Sequence, residues 1–166
     1  TEPGPSVQVK GLERQDHVIV SLSASSTTVL VEEPFTLTLS IAVAELPDPY
    51  AENNEPIHPN LLPHLAADFL EIRHDTPGLK GPDLNQILNN LIDQSGRQPS
   101  FAINDYKTRD MSSGFGRLFG DGDPFRPRPI RFRLPASRVT INGKKYRAYT
   151  LDLDYTPANE GEFTFG

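Results

Sequence analysis

The sequence predicts a mainly β chain: an immunoglobulin-like β-sandwich with a helical and loop insertion in its middle. Three observations lead there. Phe35, Leu37, Leu39, Ile41 and Val43 occupy every second position, with Thr36, Thr38, Ser40 and Ala42 between them. That period of two puts an apolar row on one face of a strand and a small, mostly polar row on the other. The 166 residues include 16 prolines and 12 glycines, which break helices but suit short strands joined by turns and long loops. Finally, Asn142-Gly143 stands between two strand-like runs, the pair favoured in a type I′ hairpin because both central positions need positive φ.

In chain order, Val18, Val20 and Leu22 alternate first, and Glu32-Glu33-Pro34 turns the chain into the long strand. Each apolar side chain buried there contributes roughly 1.5–3 kcal/mol. An aspartate in place of Leu39 would carry an unpaired charge into the interior. Residues 46–135 form the expected insertion. Pro47, Pro49, Pro56, Pro59, Pro63, Pro77 and Pro82 make its first part irregular, with one short helix expected around Leu61–Leu70. Leu84, Ile87, Leu88, Leu91 and Ile92 then fall at helical spacing, predicting a helix over about 83–95 with Asp83 as N-cap and Gly96 as stop. Its apolar stripe is expected to cover an edge or open end of the sandwich.

Phe101 and Ile103 return to alternation, residues 112–129 form a Gly/Pro-rich loop, and Ile130, Phe132 and Leu134 alternate with Arg131 and Arg133. Val139 and Ile141 lead into the hairpin, whose second strand carries Leu151, Leu153 and Tyr155 between Asp152 and Asp154. Both parities hold large side chains near Ala148 and Tyr149, where a bulge is expected. Thr156 to Gly161 reads as a turn and Phe163 and Phe165 as a closing strand, so the whole of residues 1–166 is expected to form one sandwich domain.

Net charge is −6, which disfavours general nucleic-acid binding. The charge is uneven: residues 126–147 carry eight Lys/Arg and no acid, leaving eight basic against 22 acidic residues elsewhere. There is no cysteine, so disulfides, thiol nucleophiles and Cys-held metals are excluded. No apolar run approaches the roughly 20 residues of a membrane helix, and no signal peptide is visible. The Pro/Gly-rich opening and the strand-like end read as a segment of a longer protein, with any signal and anchor outside it.

Several stretches resemble a known family. The opening strand, Val31-Glu32-Glu33-Pro34-Phe35-Thr36-Leu37-Thr38-Leu39, Ile141-Asn142-Gly143-Lys144, Tyr149-Thr150-Leu151 and the run from Pro157 to Phe165 resemble the N-terminal domain of BatD-like oxygen-tolerance proteins. The resemblance covers the two ends of the chain. Glu33 departs from it, standing where the family pattern usually has glycine, and the middle is expanded. What it implies is an exported, membrane-anchored bacterial protein, extracytoplasmic or periplasmic, with β-sandwich domains and no enzymatic activity. Protein partners in the cell envelope are implied too, with MoxR-type ATPases and von Willebrand factor A proteins as neighbours.

Residues of the types that carry chemistry are few. His58, His64 and His74 share the proline-rich stretch with Asp68 and Asp75; His64 and Asp68 at i, i+4 on a helix face would suit a metal, but no His-Glu-x-x-His accompanies them. Solvated loop histidines are the plainer reading. Gly114-Phe115-Gly116-Arg117-Leu118-Phe119-Gly120 has the wrong spacing for a dinucleotide loop, Asp121-Gly122-Asp123 lacks the rest of a calcium ladder, and no serine lies in Gly-x-Ser-x-Gly. No catalytic residue, metal or cofactor is therefore assigned. Candidate partner-binding residues are Phe115, Phe119 and Phe125, aromatics in a loop with little local structure to bury them, and Arg126, Arg128, Arg131 and Arg133, with Arg131 and Arg133 on one outer face. Against this stand a lid of phenylalanines over the sandwich, and arginines paired with Asp152 and Asp154. A carbohydrate- or small-ligand-binding module is the alternative function; it needs an aromatic platform, and the chain has no tryptophan. A hydrolase using the histidines is the third reading.

Overall fold

A computed structural model describes residues 6–9, 12–14, 17–45, 55–70, 77–107 and 127–165. In chain order its strands are β1 (Ser6–Val9), β2 (Leu12–Arg14), β3 (Val18–Ala24), β4 (Phe35–Ala44), β5 (His64–Leu65), β6 (Leu79–Lys80), β7 (Ala102–Ile103), β8 (Ala136–Ile141), β9 (Lys144–Pro157) and β10 (Glu162–Phe165). A 3-10 turn spans Asp68–Leu70, and helix α1 spans Leu84–Asn90.

The period-two runs assemble into one antiparallel sheet in the order β2-β3-β4-β9. On its far side β9 is shared: β8 pairs with its first half and β6 with its end. The spine is β4 against β9, in unbroken register from Phe35↔Tyr155 to Ala44↔Tyr146. One face of it carries Phe35, Leu37, Leu39 and Ile41 beside Tyr149, Leu151, Leu153 and Tyr155, all buried in the main core. Val18, Val20 and Leu22 of β3 pack against the same core. The predicted alternation is thus the inward row of a sheet, and the architecture is mainly β and sandwich-like as expected.

The covering layer comes from two sources. At one end β1 and β10 pair in parallel, Ser6↔Glu162 to Val9↔Phe165, and β10 buries Phe163 and Phe165. Phe165 meets Tyr155 at 5.2 Å and Phe35 at 6.2 Å between ring centroids, within the range of favourable aromatic pairs. The rest of the layer comes from the described residues of 55–70, 77–107 and 127–134. There β5 pairs with β7 in parallel, Phe132 bridges both Phe101 and Ile92, and Phe101 meets Tyr149 edge-on at 5.1 Å. These residues share the main core with Leu84 and Leu88 of α1. The helical stripe therefore packs into the core that the sheet's face builds.

Four local expectations change. The helix is shorter than 83–95: Asp83 does cap it, accepting from the Gln86 N–H at 3.1 Å, but it ends at Asn90. Ile92 and Asp93 then turn extended to meet the 131–132 backbone, with Asp93 N–H bonding to Arg131 O at 2.7 Å. Gly96, at φ 62°, belongs instead to the loop wrapped around Asp93. Around Leu61–Leu70 there is a two-residue strand and the 3-10 turn in place of an α-helix. Strand β9 runs on through Pro157, so the following turn starts at Ala158.

The fourth is the bulge. The β4–β9 register passes through Ala42↔Ala148 and Ile41↔Tyr149 without an extra residue. Both parities are buried because the sheet is covered on both faces at this end. Ala42, Ala44, Tyr146 and Ala148 form a second, smaller cluster with Ile19, Val139 and Ile141 on the reverse face. Further along that reverse face the row turns polar, where Thr36 donates to Asp154 at 2.7 Å and Thr38 to Asp152 at 2.6 Å.

Candidate protein-docking surface

Phe115, Phe119, Phe125 and Arg126 lie outside the described residues. The other basic residues of the 126–147 stretch fall on two elements. Arg128, Arg131 and Arg133 follow the extended run beside α1, whereas Arg138, Lys144, Lys145 and Arg147 sit on the β8–β9 hairpin.

Ile130, Phe132 and Leu134 are buried, so the alternation around Arg131 and Arg133 holds. The two arginines differ in role. Arg133 is exposed, and so is Arg128. Arg131 is only half-exposed: its guanidinium donates to the carbonyl of Pro59, and its Nε lies 4.0 Å from Asp93 Oδ2. Arg131 thus ties residues 55–60 to the loop after α1.

Asp93 anchors that tie. Its Oδ1 accepts from the Ser95 N–H at 3.0 Å, the Ser95 hydroxyl at 2.8 Å and the Gly96 N–H at 3.3 Å, and its Oδ2 accepts from the buried Ser100 hydroxyl at 2.9 Å. Burial pushes its carboxyl up, but the hydrogen bonds from Ser95, Ser100 and Gly96 outweigh it and hold the group below the usual aspartate range.

On the hairpin, acids again come from distant segments. Arg138 Nε lies 3.1 Å from Glu45 Oε1, and Arg147 Nε lies 3.4 Å from Glu55 Oε2. Glu55 also accepts from the hydroxyl of buried Tyr149. Lys144 lies over the ring of Tyr146 at 5.7 Å, a cation–π distance. The expected partners Asp152 and Asp154 take no part in these pairs, because they bond to threonines of β4 on the reverse face. The acids that matter, Glu45, Glu55 and Asp93, are far away in sequence, and no spacing rule could have selected them. Among the described residues of this stretch, Arg128, Arg133, Arg138, Lys144 and Lys145 are exposed.

The histidines do not converge. His64 lies on β5, with Nε2 2.6 Å from the carbonyl of Asn104, and His58 Nδ1 accepts from the Asn60 N–H at 3.1 Å. Asp68 begins the 3-10 turn, so the helical i, i+4 relation with His64 is absent; His74 and Asp75 lie outside the described residues. Among the described residues no group of three or more His, Asp or Glu side chains is placed to hold a metal. Nor is any helix there long and apolar enough to cross a membrane.

Among the described residues every phenylalanine is buried, and so is every tyrosine except the half-buried Tyr106, whose hydroxyl donates to Leu70 O. No aromatic platform is exposed on the sheet there. The fold and surface define a mainly β, sandwich-like domain with a basic hairpin at one edge. Comparison with protein-family models, curated proteins and solved structures finds no match.

Proposed function

We propose that this chain is a non-catalytic protein-interaction domain of the BatD-like kind. In that reading the full-length protein is exported and held at the extracytoplasmic face of a bacterial membrane, in the periplasm, by an anchor outside this chain. Its partners are protein components of an envelope-associated complex that includes a MoxR-type ATPase and von Willebrand factor A proteins.

One observation carries the reading. The segments that resemble the family lie in the main sheet and its cover: Phe35 to Leu39 start β4, Ile141 to Lys144 form the hairpin turn, Tyr149 to Leu151 lie in β9, and Glu162 to Phe165 form β10 of the covering layer. Sequence likeness spread over separate runs has a structural reason when those runs pack around one core. The basic hairpin adds an exposed surface beside that framework, suited to an acidic protein surface.

The experiment is affinity capture from detergent-solubilised membranes of the source cell, with the intact protein as bait and mass-spectrometric identification. Recovery of a von Willebrand factor A protein or the MoxR-type ATPase is expected. A bait that retains neither, yet binds an oligosaccharide array saturably, would replace this reading with the ligand-binding one.

A further inference from the structure

Strand β8 is one edge of the main sheet, and its hydrogen-bonding directions follow from the turn beside it. Asn142 and Gly143 have φ of 51° and 77° and join Ile141 directly to Lys144. In a two-residue hairpin of this kind the flanking residues bond to each other, and bonded pairs then alternate with non-bonded ones. Ile141, Val139 and Ser137 therefore direct their N–H and C=O groups at β9. Thr150 N–H bonds to Pro135 O at 2.9 Å, in step with this alternation. Ala136, Arg138 and Thr140 direct theirs away from β9, along an edge where those three residues and Ser137 are exposed. Among the described residues β8 pairs with β9 alone.

The two faces beside this edge differ. On one, Arg138 and Thr140 stand with Lys145 and Arg147. Glu45 engages Arg138 from behind, yet the Arg138 side chain remains 62% exposed. A guanidinium has donors enough for a second carboxylate. On the other face, partly buried Val139 and Ile141 continue the small apolar cluster around Tyr146.

We propose that β8 takes an extended segment of a protein partner as an added strand, with acidic side chains toward Arg138 and Lys145 and β-branched apolar side chains toward Val139 and Ile141. This deepens the protein-interaction reading and rests on it. Main-chain bonds to Ala136, Arg138 and Thr140 supply the attachment, and alternate side chains supply selectivity. A second copy of β8 is a poor occupant, because antiparallel self-pairing centred on this strand brings Arg138 near its own counterpart, and like charges across strands repel.

The test uses the intact chain and a labelled peptide of about eight residues alternating glutamate with valine or isoleucine, long enough to match a typical strand. Binding is read by fluorescence anisotropy and by amide hydrogen exchange. Saturable binding that weakens with salt, with slowed exchange at Ala136, Arg138 and Thr140, is expected. Thr140→Pro removes one outward N–H at a position where an edge strand tolerates proline. It should lower affinity about tenfold or more while circular dichroism and the exchange of Val139 and Ile141 stay unchanged. Lys145→Glu, on the exposed face, should weaken binding without altering the edge backbone.

Unchanged affinity in Thr140→Pro, or unchanged exchange at the three edge amides on binding, overturns the proposal. So does a wild-type dimer in sedimentation that Thr140→Pro dissolves, which would assign the edge to a second copy. Should the peptide fail to bind while the von Willebrand factor A protein is still captured, the edge proposal falls and the interaction reading stands.

Discussion

Tyr149 and Glu55, 94 positions apart, are joined by a hydrogen bond from the tyrosine hydroxyl to the carboxylate. The other carboxylate oxygen lies 3.4 Å from Arg147 Nε. One acid from the proline-rich stretch therefore accepts from one side chain and pairs in charge with another, both of which the central strand places on its inner face. The relationship closes the core at the end where the irregular layer meets the sheet.

Removing that acid leaves a buried hydroxyl and a half-buried guanidinium without it. Glu55→Ala should cost about 1–3 kcal/mol, the range for orphaned buried polar groups. Tyr149→Phe should cost less, because Glu55 keeps Arg147. Urea denaturation followed by tyrosine fluorescence checks the order; equal costs would mean that the Arg147 pair contributes nothing separate.

The same tyrosine sets an alkaline limit. Burial, then the hydrogen bond to and charge of Glu55, push the Tyr149 hydroxyl well above its ordinary range. Burial raises Tyr155 as well. A group raised in the folded state contributes stability that is complete below its unfolded pKa, about 10 for tyrosine, and lost as pH climbs above it. Each such proton steepens the loss by up to about 1.4 kcal/mol per pH unit. Unfolding free energy measured from pH 9 upward should fall beyond pH 10. The fall should be shallower in Tyr149→Phe.

Asp93 works at the acid end. Its carboxyl is held below the ordinary aspartate range, so its contribution is present above about pH 4 and is lost as pH falls through the lower folded value. Asp93→Ala should destabilise by about 1–3 kcal/mol at neutral pH, since Ser95, Gly96 and buried Ser100 lose the carboxylate they donate to and Arg131 loses its ion pair. The difference from wild type should shrink toward pH 2 in a urea titration. A difference that stays constant with pH would show that packing, rather than charge, is what the substitution removes.

Two backbone positions make opposite predictions. Gly143 has φ 77° with open space where a Cβ would stand, so Gly143→Ala should cost about 1 kcal/mol through conformation alone. Glu32, at φ 65°, is a non-glycine residue in the same region; it donates its N–H to Pro157 O and its carboxylate pairs with Lys80 at 3.2 Å. That ion pair is exposed at both ends and worth little. Glu32→Gly should therefore raise stability, by up to about 1 kcal/mol. Thermal melts of the two variants check the signs.

Local pattern was informative wherever one side chain in two, or one in three to four, met the core. Phe35 to Val43 showed its strand because a single face is buried over most of that length. Asn142-Gly143 showed its turn because only a few residues accept positive φ. Where two faces were buried, the pattern misled: Tyr146, Ala148 and Tyr149 suggest a bulge, yet they are inward residues of two clusters on opposite sides of one strand. The helix ended early for a related reason. Leu91 and Ile92 keep helical spacing, but pairing with residues 131–133 offered their backbone another set of hydrogen bonds, 3.4 Å being the last helical contact and 2.6 Å the Arg133 N–H to Leu91 O bond.

By itself, the order of residues determined the sheet's inward row, its hairpin, its helix cap and the basic character of residues 126–147, because each depends on neighbours within a few positions. Only the tertiary structure decided which acids meet which arginines, and hence which cations still face outward. It also decided that the middle of the chain forms much of the second layer. Those outcomes depend on contacts such as Arg138 with Glu45 and Arg131 with Pro59 and Asp93. Burial selects such partners by proximity in space, and proximity in space leaves no periodic mark on the sequence.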